Sequence, residues 1–207
     1  QLGPYAGEHP GLLPEAVDRA SATLITDAFI RDVSTVVSRY GPQHVVVEND
    51  YSCAYAAALL PEVMWRVVEE TGCRFLLDLS HAQLAASRLG LEPHDYTRSL
   101  PVTRVAEIHV SGNQRLEGEW LDRVRKAGAL TGWIAQYEGR VIDHLPMTDS
   151  DWDFAAWALQ QVNTGAWSEP WVIAFEYGGI GAWFQAVTDA DVLRVQVPRL
   201  RGLVGGA

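Results

Sequence analysis

Five ionisable residues stand at the ends of short apolar runs, at intervals close to the length of one β-strand plus one α-helix. They are Glu48, Asp78, His109, His144 and Glu176. The intervals between them are 30, 31, 35 and 32 residues, and one strand-helix unit takes about 30 residues. A carboxylate buried in a strand is costly unless it is paired or bound to a metal. The repeat therefore predicts that these side chains converge on one polar site.

The residue types in this repeat predict a metal site built from carboxylate and imidazole ligands. Asp78 and His81 form a D-x-x-H pair, short enough for both side chains to reach the same site. Cys53 and Cys73 occupy no evident ligand position, which argues against a structural zinc site of the thiolate type. Carboxylate and imidazole ligands suit iron, manganese, zinc or cobalt. The candidates outnumber the ligands of one ion, so we expect two or more metals bridged by carboxylates.

The apolar runs predict buried parallel strands. They are His44–Glu48, Arg74–Leu79, Val105–Val110 and Val172–Tyr177. Their Val, Ile and Phe residues do not alternate cleanly with polar ones, as in strands that are covered on both faces. Helical patterns lie between the runs, and alternating strands and helices indicate an α/β fold with a parallel sheet. Ligands at the C-terminal end of every strand are typical of a TIM (β/α) barrel.

Helix signals in the connecting segments support the same architecture. Pro61 predicts the first turn of one helix, and Thr148 with Asp151 predicts a capping box at the start of another. A further helix carries an apolar stripe made of Ile25, Phe29, Val33, Val36, Val37 and Tyr40. The long segment Ser111–Arg140 lies between two candidate ligand strands, and a loop there would overhang the mouth of the barrel.

Chain length limits how much of a barrel is present. A complete barrel takes about 250 residues, whereas this chain has 207, which leaves room for five or six strand-helix units. We therefore expect residues 1–207 to form a single β/α-barrel domain that lacks its first one or two strands.

Composition excludes several functional classes. The formal net charge of -10 argues against a general surface for nucleic acid or for an anionic membrane. No run of apolar residues approaches the length of about 20 that a membrane helix needs. With two cysteines, the chain has no disulfide framework, which favours a reducing compartment and hence the cytoplasm.

Further residues are weaker candidates for the site. His9 lies 39 residues before Glu48 and could end a preceding strand as another metal ligand. Asn49 could offer a neutral oxygen ligand or a hydrogen bond to a ligand, although a turn residue explains it as well. Gly178 permits close approach of a substrate to the backbone, and Trp133 in the long segment could contact a substrate.

Several ordered motifs resemble one known family, the multinuclear non-heme iron-dependent oxidative enzymes. The first is Val46-Val47-Glu48-Asn49, the second runs from Thr71 to His81, and the third runs from Arg104 to Gly112. Ile142-Asp143-His144 and Phe175-Glu176-Tyr177 continue the similarity in the same order. The similarity covers the chain from about Glu48 to its end.

This resemblance implies a TIM barrel related in shape to xylose isomerase, with two or three iron ions (Fe2+ and Fe3+) and O2 as co-substrate. It implies oxidation of a ribosomally made (RiPP) precursor peptide, commonly at cysteine, with a partner protein that presents the peptide. By position, the implied iron ligands are Glu48, Asp78, His81, His109, His144 and Glu176. Asn49 and Asp143 are further candidates, and His9 is the counterpart of an N-terminal histidine of the family.

The sequence departs from the family pattern at two places. Asp143 and His144 are adjacent, whereas the family usually has one residue between the aspartate and the histidine. Asn113 follows Ser111-Gly112 where many relatives have a histidine.

Two other functions are compatible with the same residues. One is a divalent-metal sugar isomerase, epimerase or phosphodiesterase on the same barrel shape. Sugar isomerases often use a lysine near the metals, and Lys126, the only lysine, lies outside the strand ends. The other is a degenerate, non-catalytic barrel that binds a peptide or a partner protein. Turnover of a sugar without oxygen would favour the first alternative, and failure to bind any transition metal would favour the second.

Overall fold

A computed structural model describes residues 3–4, 7–128, 131–179 and 182–205, apart from the side chains of Trp133, Ala182, Trp183 and Ala186. The chain divides into two compact units. The first unit contains Gln1–Ile108 and Thr164–Ile173, and the second contains His109–Asn163 and Ala174–Ala207. Among the described residues, no helix is long and apolar enough to cross a membrane.

Four strands form a parallel sheet. They are β1 (Val46–Glu48), β2 (Arg74–Asp78), β3 (Val105–Val110) and β6 (Val172–Phe175), and their order in the sheet is β1-β2-β3-β6. In the pairing of β1 with β2, Val46 lies opposite Arg74 and Glu48 lies opposite Leu76. The predicted strands and the predicted α/β class are confirmed, and closure of the sheet into a barrel stays a prediction.

The helices in the described part of the first unit are α1 (Arg19–Tyr40), α2 (Pro61–Thr71), α3 (Leu79–Leu89) and α4 (Pro93–Ser99). Short 3₁₀ turns cover Pro42–His44, Ala56–Leu59 and Val102–Arg104. As predicted, α2 begins at Pro61, whose ring fixes φ for a first helical residue, and it ends at Gly72 in the left-handed conformation. Helix α1 packs against α2, and α3 packs against α4.

The predicted stripe on α1 is buried only in its first half. Ile25, Phe29 and Val33 are buried, whereas Val36 and Tyr40 are 44% and 57% exposed. On α2, the fully buried residues Val63, Val67 and Val68 repeat at helical spacing and complete the core of this unit with the buried β2 residues Phe75 and Leu77.

The second unit contains a two-stranded antiparallel sheet that the sequence did not predict. It consists of β4 (Gly112–Arg115) and β5 (Val141–Leu145). The described residues of this unit form the helices α5 (Gly118–Lys126), α6 (Thr131–Tyr137), α7 (Asp149–Asn163), α8 (Ala182–Val187) and α9 (Ala190–Gly205). Helix α5 packs against α8, and α7 packs against α9.

In its described residues, the segment Ser111–Arg140 contains β4, α5 and α6 and is not one long loop. The physical reason is a small apolar core formed by Leu116, Leu121, Val124, Ile142, Leu145 and Val187, against which Trp120, Ile134 and Tyr137 pack. Apolar residues at helical spacing in α5 and α6 bury one face of each helix, and that burial stabilises ordered structure.

The capping box predicted at the start of α7 is confirmed. The Thr148 amide donates to Asp151 Oδ2 at 2.8 Å, and the Asp151 amide donates to the Thr148 hydroxyl at 3.4 Å. Each side chain thus satisfies an amide that the first helical turn leaves without a backbone acceptor.

Candidate metal-binding residues

In the first unit, candidate ligands follow β1 and β2 and form what we call the first ligand set: Glu48, Asn49, Asp78 and His81. Asp78 is the N-cap of α3, and its Oδ1 accepts the amide of His81 at 2.8 Å. The D-x-x-H spacing is therefore the spacing between the N-cap and the third helical residue, which face each other in a capped helix. This local geometry explains how two residues three apart reach the same place.

Asn49 connects the ends of β1 and β2. Its Nδ2 donates to the backbone oxygen of Asp78 at 2.9 Å, and its Oδ1 accepts the Asp78 amide at 2.9 Å. The Asn49 side chain is buried, so both bonds form away from water. This pair of bonds supports a role for Asn49 in positioning Asp78, and its role as a direct ligand stays a prediction.

The same strand end fixes the orientation of the His81 ring. His81 Nδ1 lies 2.8 Å from the backbone oxygen of Asn49. A carbonyl can only accept, so Nδ1 carries the proton and Nε2 keeps its lone pair for a metal. His81 Nε2 lies 3.9 Å from Asp78 Oδ2, and His81 Nδ1 lies 3.6 Å from Glu48 Oε1. Asp78 is only 1% exposed, which places a carboxylate in a buried position that favours a cation.

In the second unit, four candidates form the second ligand set: His109, Asp143, His144 and Glu176. His109 is the penultimate residue of strand β3, and its Nδ1 lies 2.8 Å from Glu176 Oε2. The Glu176 amide donates to the backbone oxygen of Val110 at 2.9 Å, which fixes the residue after β6 beside β3. A carboxylate has two oxygens, so Glu176 can accept from His109 through one and bind a metal through the other.

Asp143 and His144 lie in a β-bulge. Gly112 pairs with Leu145 and Gln114 pairs with Ile142, so the two residues of β5 lie opposite the single residue Asn113 of β4. His144 has a φ of 60°, the left-handed conformation, and is the only non-glycine residue with positive φ among those that the structure describes. Adjacent side chains of a regular strand point to opposite faces, and the bulge removes that alternation.

The bulge brings the two side chains together. His144 Nε2 lies 3.5 Å from Asp143 Oδ2. A regular strand would achieve this with one residue between them, because side chains two apart share a face. The missing residue noted in the sequence is thus compensated by the left-handed backbone at His144.

His144 also carries a buried donor atom that hydrogen bonds do not explain. Its Nδ1 is buried and has no hydrogen-bond partner among the residues that the structure describes. Buried polar atoms are nearly always satisfied, so such an atom suggests a ligand or an ion. The Phe184 ring packs edge-on against the imidazole, with 5.4 Å between ring centroids.

Two pairs of donor atoms have a spacing that fits binding to one first-row metal ion. Two donors bound to one ion at about 2.1 Å lie about 3.0 Å apart when adjacent and about 4.2 Å apart when opposite. The separations of 3.5 Å between Asp143 Oδ2 and His144 Nε2 and of 3.9 Å between Asp78 Oδ2 and His81 Nε2 lie in this range. All seven carboxylate and imidazole residues of the two sets belong to candidate metal-binding groups of the structure.

The remaining predicted site residues have other surroundings. His9 packs edge-on against Tyr55, with 5.7 Å between ring centroids, and is not among the candidate metal-binding groups found in the described part of the chain. Gly178 has a φ of 75°, and its amide donates to the backbone oxygen of His144 at 3.0 Å. Trp133 is in α6, but its side chain lies outside the described residues. The roles of His9 as a ligand and of Gly178 and Trp133 in substrate binding stay predictions.

Ser111 is a residue of this region that the sequence did not single out as functional. Its hydroxyl accepts the amide of His144 at 3.3 Å, and the residue is 3% exposed. Its place directly after β3 and two residues from His109 was the only available signal.

Comparison with known proteins gives a consistent family match. The sequence model described as RiPP precursor modification enzyme MbnB/TglH/ChrH matches residues 8–138, more than half of the chain. RiPP denotes a ribosomally synthesised and post-translationally modified peptide.

Similar individual proteins carry the name UPF0276 protein. The chain is 30% identical over 127 residues to one from Vibrio parahaemolyticus, a match that covers 55% of this chain and 44% of that protein. It is 31% identical over 86 residues to one from Pseudomonas aeruginosa, covering 41% of this chain and 29% of that protein. It is 40% identical over 45 residues to one from Caulobacter vibrioides, covering 22% of this chain and 16% of that protein. The matched part of the chain therefore spans less than half the length of these relatives.

Proposed function

Because this chain belongs to the MbnB/TglH/ChrH family of RiPP precursor modification enzymes, we propose that it takes part in oxidative modification of a precursor peptide, at cysteine, with two or three iron ions and O2. The observation that carries the proposal is the composition of the two ligand sets. They combine four carboxylates with three imidazoles, all of them within candidate metal-binding groups. Oxygen and nitrogen donors of this kind suit iron and other first-row ions.

The proposed iron ligands are Glu48, Asp78 and His81 of the first ligand set, and His109, Asp143, His144 and Glu176 of the second. When bound, iron supplies the redox chemistry with O2 that oxidation of a cysteine requires.

The protein's own contribution in the first unit is to orient these donors. The backbone carbonyl of Asn49 sets the His81 tautomer. The side-chain amide of Asn49 holds the Asp78 backbone through two hydrogen bonds. Ligands that are held in this way keep their geometry before the metal arrives, which lowers the cost of binding. In the second unit, Glu176 accepts from His109 and so directs the other ring nitrogen of His109 away from this carboxylate.

The proposed partners are a cysteine-containing precursor peptide and a protein that presents it. The proposed location is the cytoplasm, where thiols of such a peptide remain reduced. The family match supports the precursor peptide as a partner, and the low cysteine content of the chain supports the proposed location.

The test is oxygen consumption by the reduced, iron-loaded, full-length protein with a cysteine-containing peptide encoded next to its gene. We expect O2 uptake that depends on the peptide, with a mass change in the peptide that disappears when its cysteine is replaced by serine. Asp78→Asn, which keeps the size of the side chain, is the matched inactive control. Absence of uptake with every neighbouring peptide would contradict the proposal.

The same donor set suits manganese, zinc and cobalt, so the metal decides between the oxidase and a divalent-metal isomerase, epimerase or phosphodiesterase. Sugar turnover with manganese or cobalt under nitrogen would replace the oxidase by one of those functions. Absence of tight metal binding would favour a peptide-binding protein without catalysis.

A further inference from the structure

The bulge at Asp143 and His144 is held by contacts from outside β5. The His144 amide donates to the Ser111 hydroxyl at 3.3 Å, and the His144 carbonyl accepts the Gly178 amide at 3.0 Å. In a regular ladder these two backbone groups would bond to the neighbouring strand. Both polar groups of the bulged residue are therefore satisfied by residues that follow β3 and β6.

The left-handed conformation of His144 needs such support. A residue with a side chain pays a free-energy cost in this conformation, and non-glycine residues held in it cluster at functional sites. The hydrogen bond from the His144 amide to the Ser111 hydroxyl offsets part of that cost. Removal of the hydroxyl should therefore let the backbone of His144 move toward an extended conformation.

The backbone of His144 decides where its imidazole points. With a φ of 60°, the ring lies 3.5 Å from Asp143 Oδ2, and its Nδ1 is buried without a hydrogen-bond partner in the described part of the chain. An extended backbone would return the ring to the strand face opposite Asp143.

We propose that Ser111 is a positioning residue of the metal site: its hydroxyl holds His144 in the left-handed conformation and thereby directs the imidazole to the metal beside Asp143. Gly178 supports the same residue from its carbonyl side. The inference rests on the proposed function, because it takes His144 to be a metal ligand. Ser111 itself contacts no metal in this account and acts only through His144.

The test is anaerobic titration with Co2+, a spectroscopic substitute for iron, followed by visible absorption. Ser111→Ala removes the hydroxyl, and Ser111→Thr retains it. Ser168→Ala is the matched control, because the Ser168 hydroxyl also bonds to the backbone, at the Val105 carbonyl in the first unit. We expect Ser111→Ala to weaken Co2+ binding about tenfold and to change the absorption bands, as replacements next to metal ligands commonly do. Ser111→Thr and Ser168→Ala should bind as the wild type does.

A double-mutant cycle separates positioning from a general structural effect. His144→Asn removes the imidazole and keeps a residue that tolerates the left-handed conformation. If Ser111 acts through His144, then Ser111→Ala should have less than about a twofold further effect on Co2+ binding in the His144→Asn background. An equal loss in both backgrounds, or wild-type binding by Ser111→Ala, would overturn the inference and leave the proposed function intact. If the wild type binds neither Co2+ nor iron, both are overturned.

A second variant, with a weaker hydrogen-bond acceptor at position 111, keeps the inference testable if Ser111→Ala does not fold. Ser111→Cys is close in size and accepts hydrogen bonds weakly, so it should show an intermediate Co2+ affinity. Wild-type affinity in Ser111→Cys, combined with a thermal midpoint equal to that of the wild type, would count against the inference.

Discussion

The two ligand sets are built on different kinds of backbone. In the first, Asp78 and His81 lie at the end of a regular parallel strand and in the first turn of α3, and Asn49 bonds to the Asp78 backbone. In the second, Asp143 and His144 lie in a bulge of an antiparallel pair, with His144 in the left-handed conformation. The first set follows from ordinary strand and helix-cap geometry, whereas the second depends on one unusual residue.

This difference indicates where the requirements of stability and of metal binding conflict in the molecule. Capping of α3 by Asp78 stabilises the fold and places a ligand at the same time. At His144 the backbone is strained, and the gain is the placement of an imidazole beside Asp143. In the first ligand set, we therefore expect that suitable substitutions can change metal binding without changing stability. Around the bulge, we expect substitutions to change metal binding and stability together.

Replacement of Asp78 should have the largest effect. Asp78→Asn keeps an oxygen that can accept the His81 amide and removes the negative charge. We expect metal affinity to fall by at least about 100-fold, since an anionic ligand is lost, while the thermal midpoint of the metal-free protein changes little. Asp78→Ala also removes the cap and should cost about 1 kcal/mol of unfolding free energy.

Metal titration and thermal unfolding of the two Asp78 variants are the measurements. Equal metal binding by Asp78→Asn and the wild type would remove Asp78 from the ligands. Equal stability of Asp78→Ala and Asp78→Asn would show that the cap contributes nothing.

Replacement of Asn49 should have the next largest effect, on stability. Asn49→Ala removes both bonds to the Asp78 backbone and leaves a buried amide and a buried carbonyl without their partner. Each orphaned group costs about 1–3 kcal/mol, so the free energy of unfolding, measured in urea, should fall by about 2–6 kcal/mol for the two groups together. Asn49→Asp restores the acceptor only and should recover part of the loss. A loss below 1 kcal/mol for Asn49→Ala would contradict the bridging role.

Substitution of Gly178 by alanine tests the support that the bulge receives at the His144 carbonyl, which accepts the Gly178 amide. A Cβ there would overlap the Thr188 hydroxyl, and the φ of 75° disfavours any residue with a side chain. Gly178→Ala should destabilise the protein by about 2 kcal/mol, with about 1–2 kcal/mol of this from the left-handed conformation. The double variant Gly178→Ala/Thr188→Ala removes the overlapping hydroxyl and should recover only the steric part. Full recovery would show that the left-handed backbone costs nothing.

A small, pH-dependent effect is expected at the cap of α7. Burial raises the pKa of the Asp151 carboxyl above its usual 3.8, in spite of hydrogen bonds from Thr148 that lower it. The folded protein thus holds this proton more tightly than the unfolded chain. The raised pKa of Asp151 therefore stabilises the folded protein below about pH 4, and this contribution is lost as the pH rises through the raised pKa.

Asp151→Asn keeps an acceptor for Thr148 and removes the titration. We expect the free energy of unfolding of this variant, minus that of the wild type, to be larger at pH 7 than at pH 4. Urea unfolding of both proteins at both pH values measures this difference. A stability difference that is the same at both pH values would show that the Asp151 carboxyl titrates normally.

Much of the first unit could be predicted from the sequence, because its elements obey local rules. Apolar runs gave the parallel strands, Pro61 gave the start of α2, and D-x-x-H gave two residues that the cap of α3 places together. The apolar stripe on α1 was only partly informative: Val36 and Tyr40 fit helical spacing but remain exposed, since spacing fixes a face and not what covers it.

The second unit was predicted less well. The strand and helices within the described part of Ser111–Arg140 could not be predicted, because apolar residues of this segment pack against residues of β5 that are distant in sequence. The role of the Ser111 hydroxyl could not be predicted either, since it depends on the bulge, and the bulge depends on the pairing of β4 with β5. The adjacency of Asp143 and His144 is visible in the sequence, but only the backbone shows how their side chains meet.

The most direct test of the central claim is the metal content of protein purified without oxygen, by mass spectrometry, with the iron redox states determined by Mössbauer spectroscopy. The account predicts two or more irons per chain in the wild type, with loss of iron in Asp78→Asn and in His109→Ala. Zinc or manganese alone, or no metal at all in the full-length protein, would contradict it.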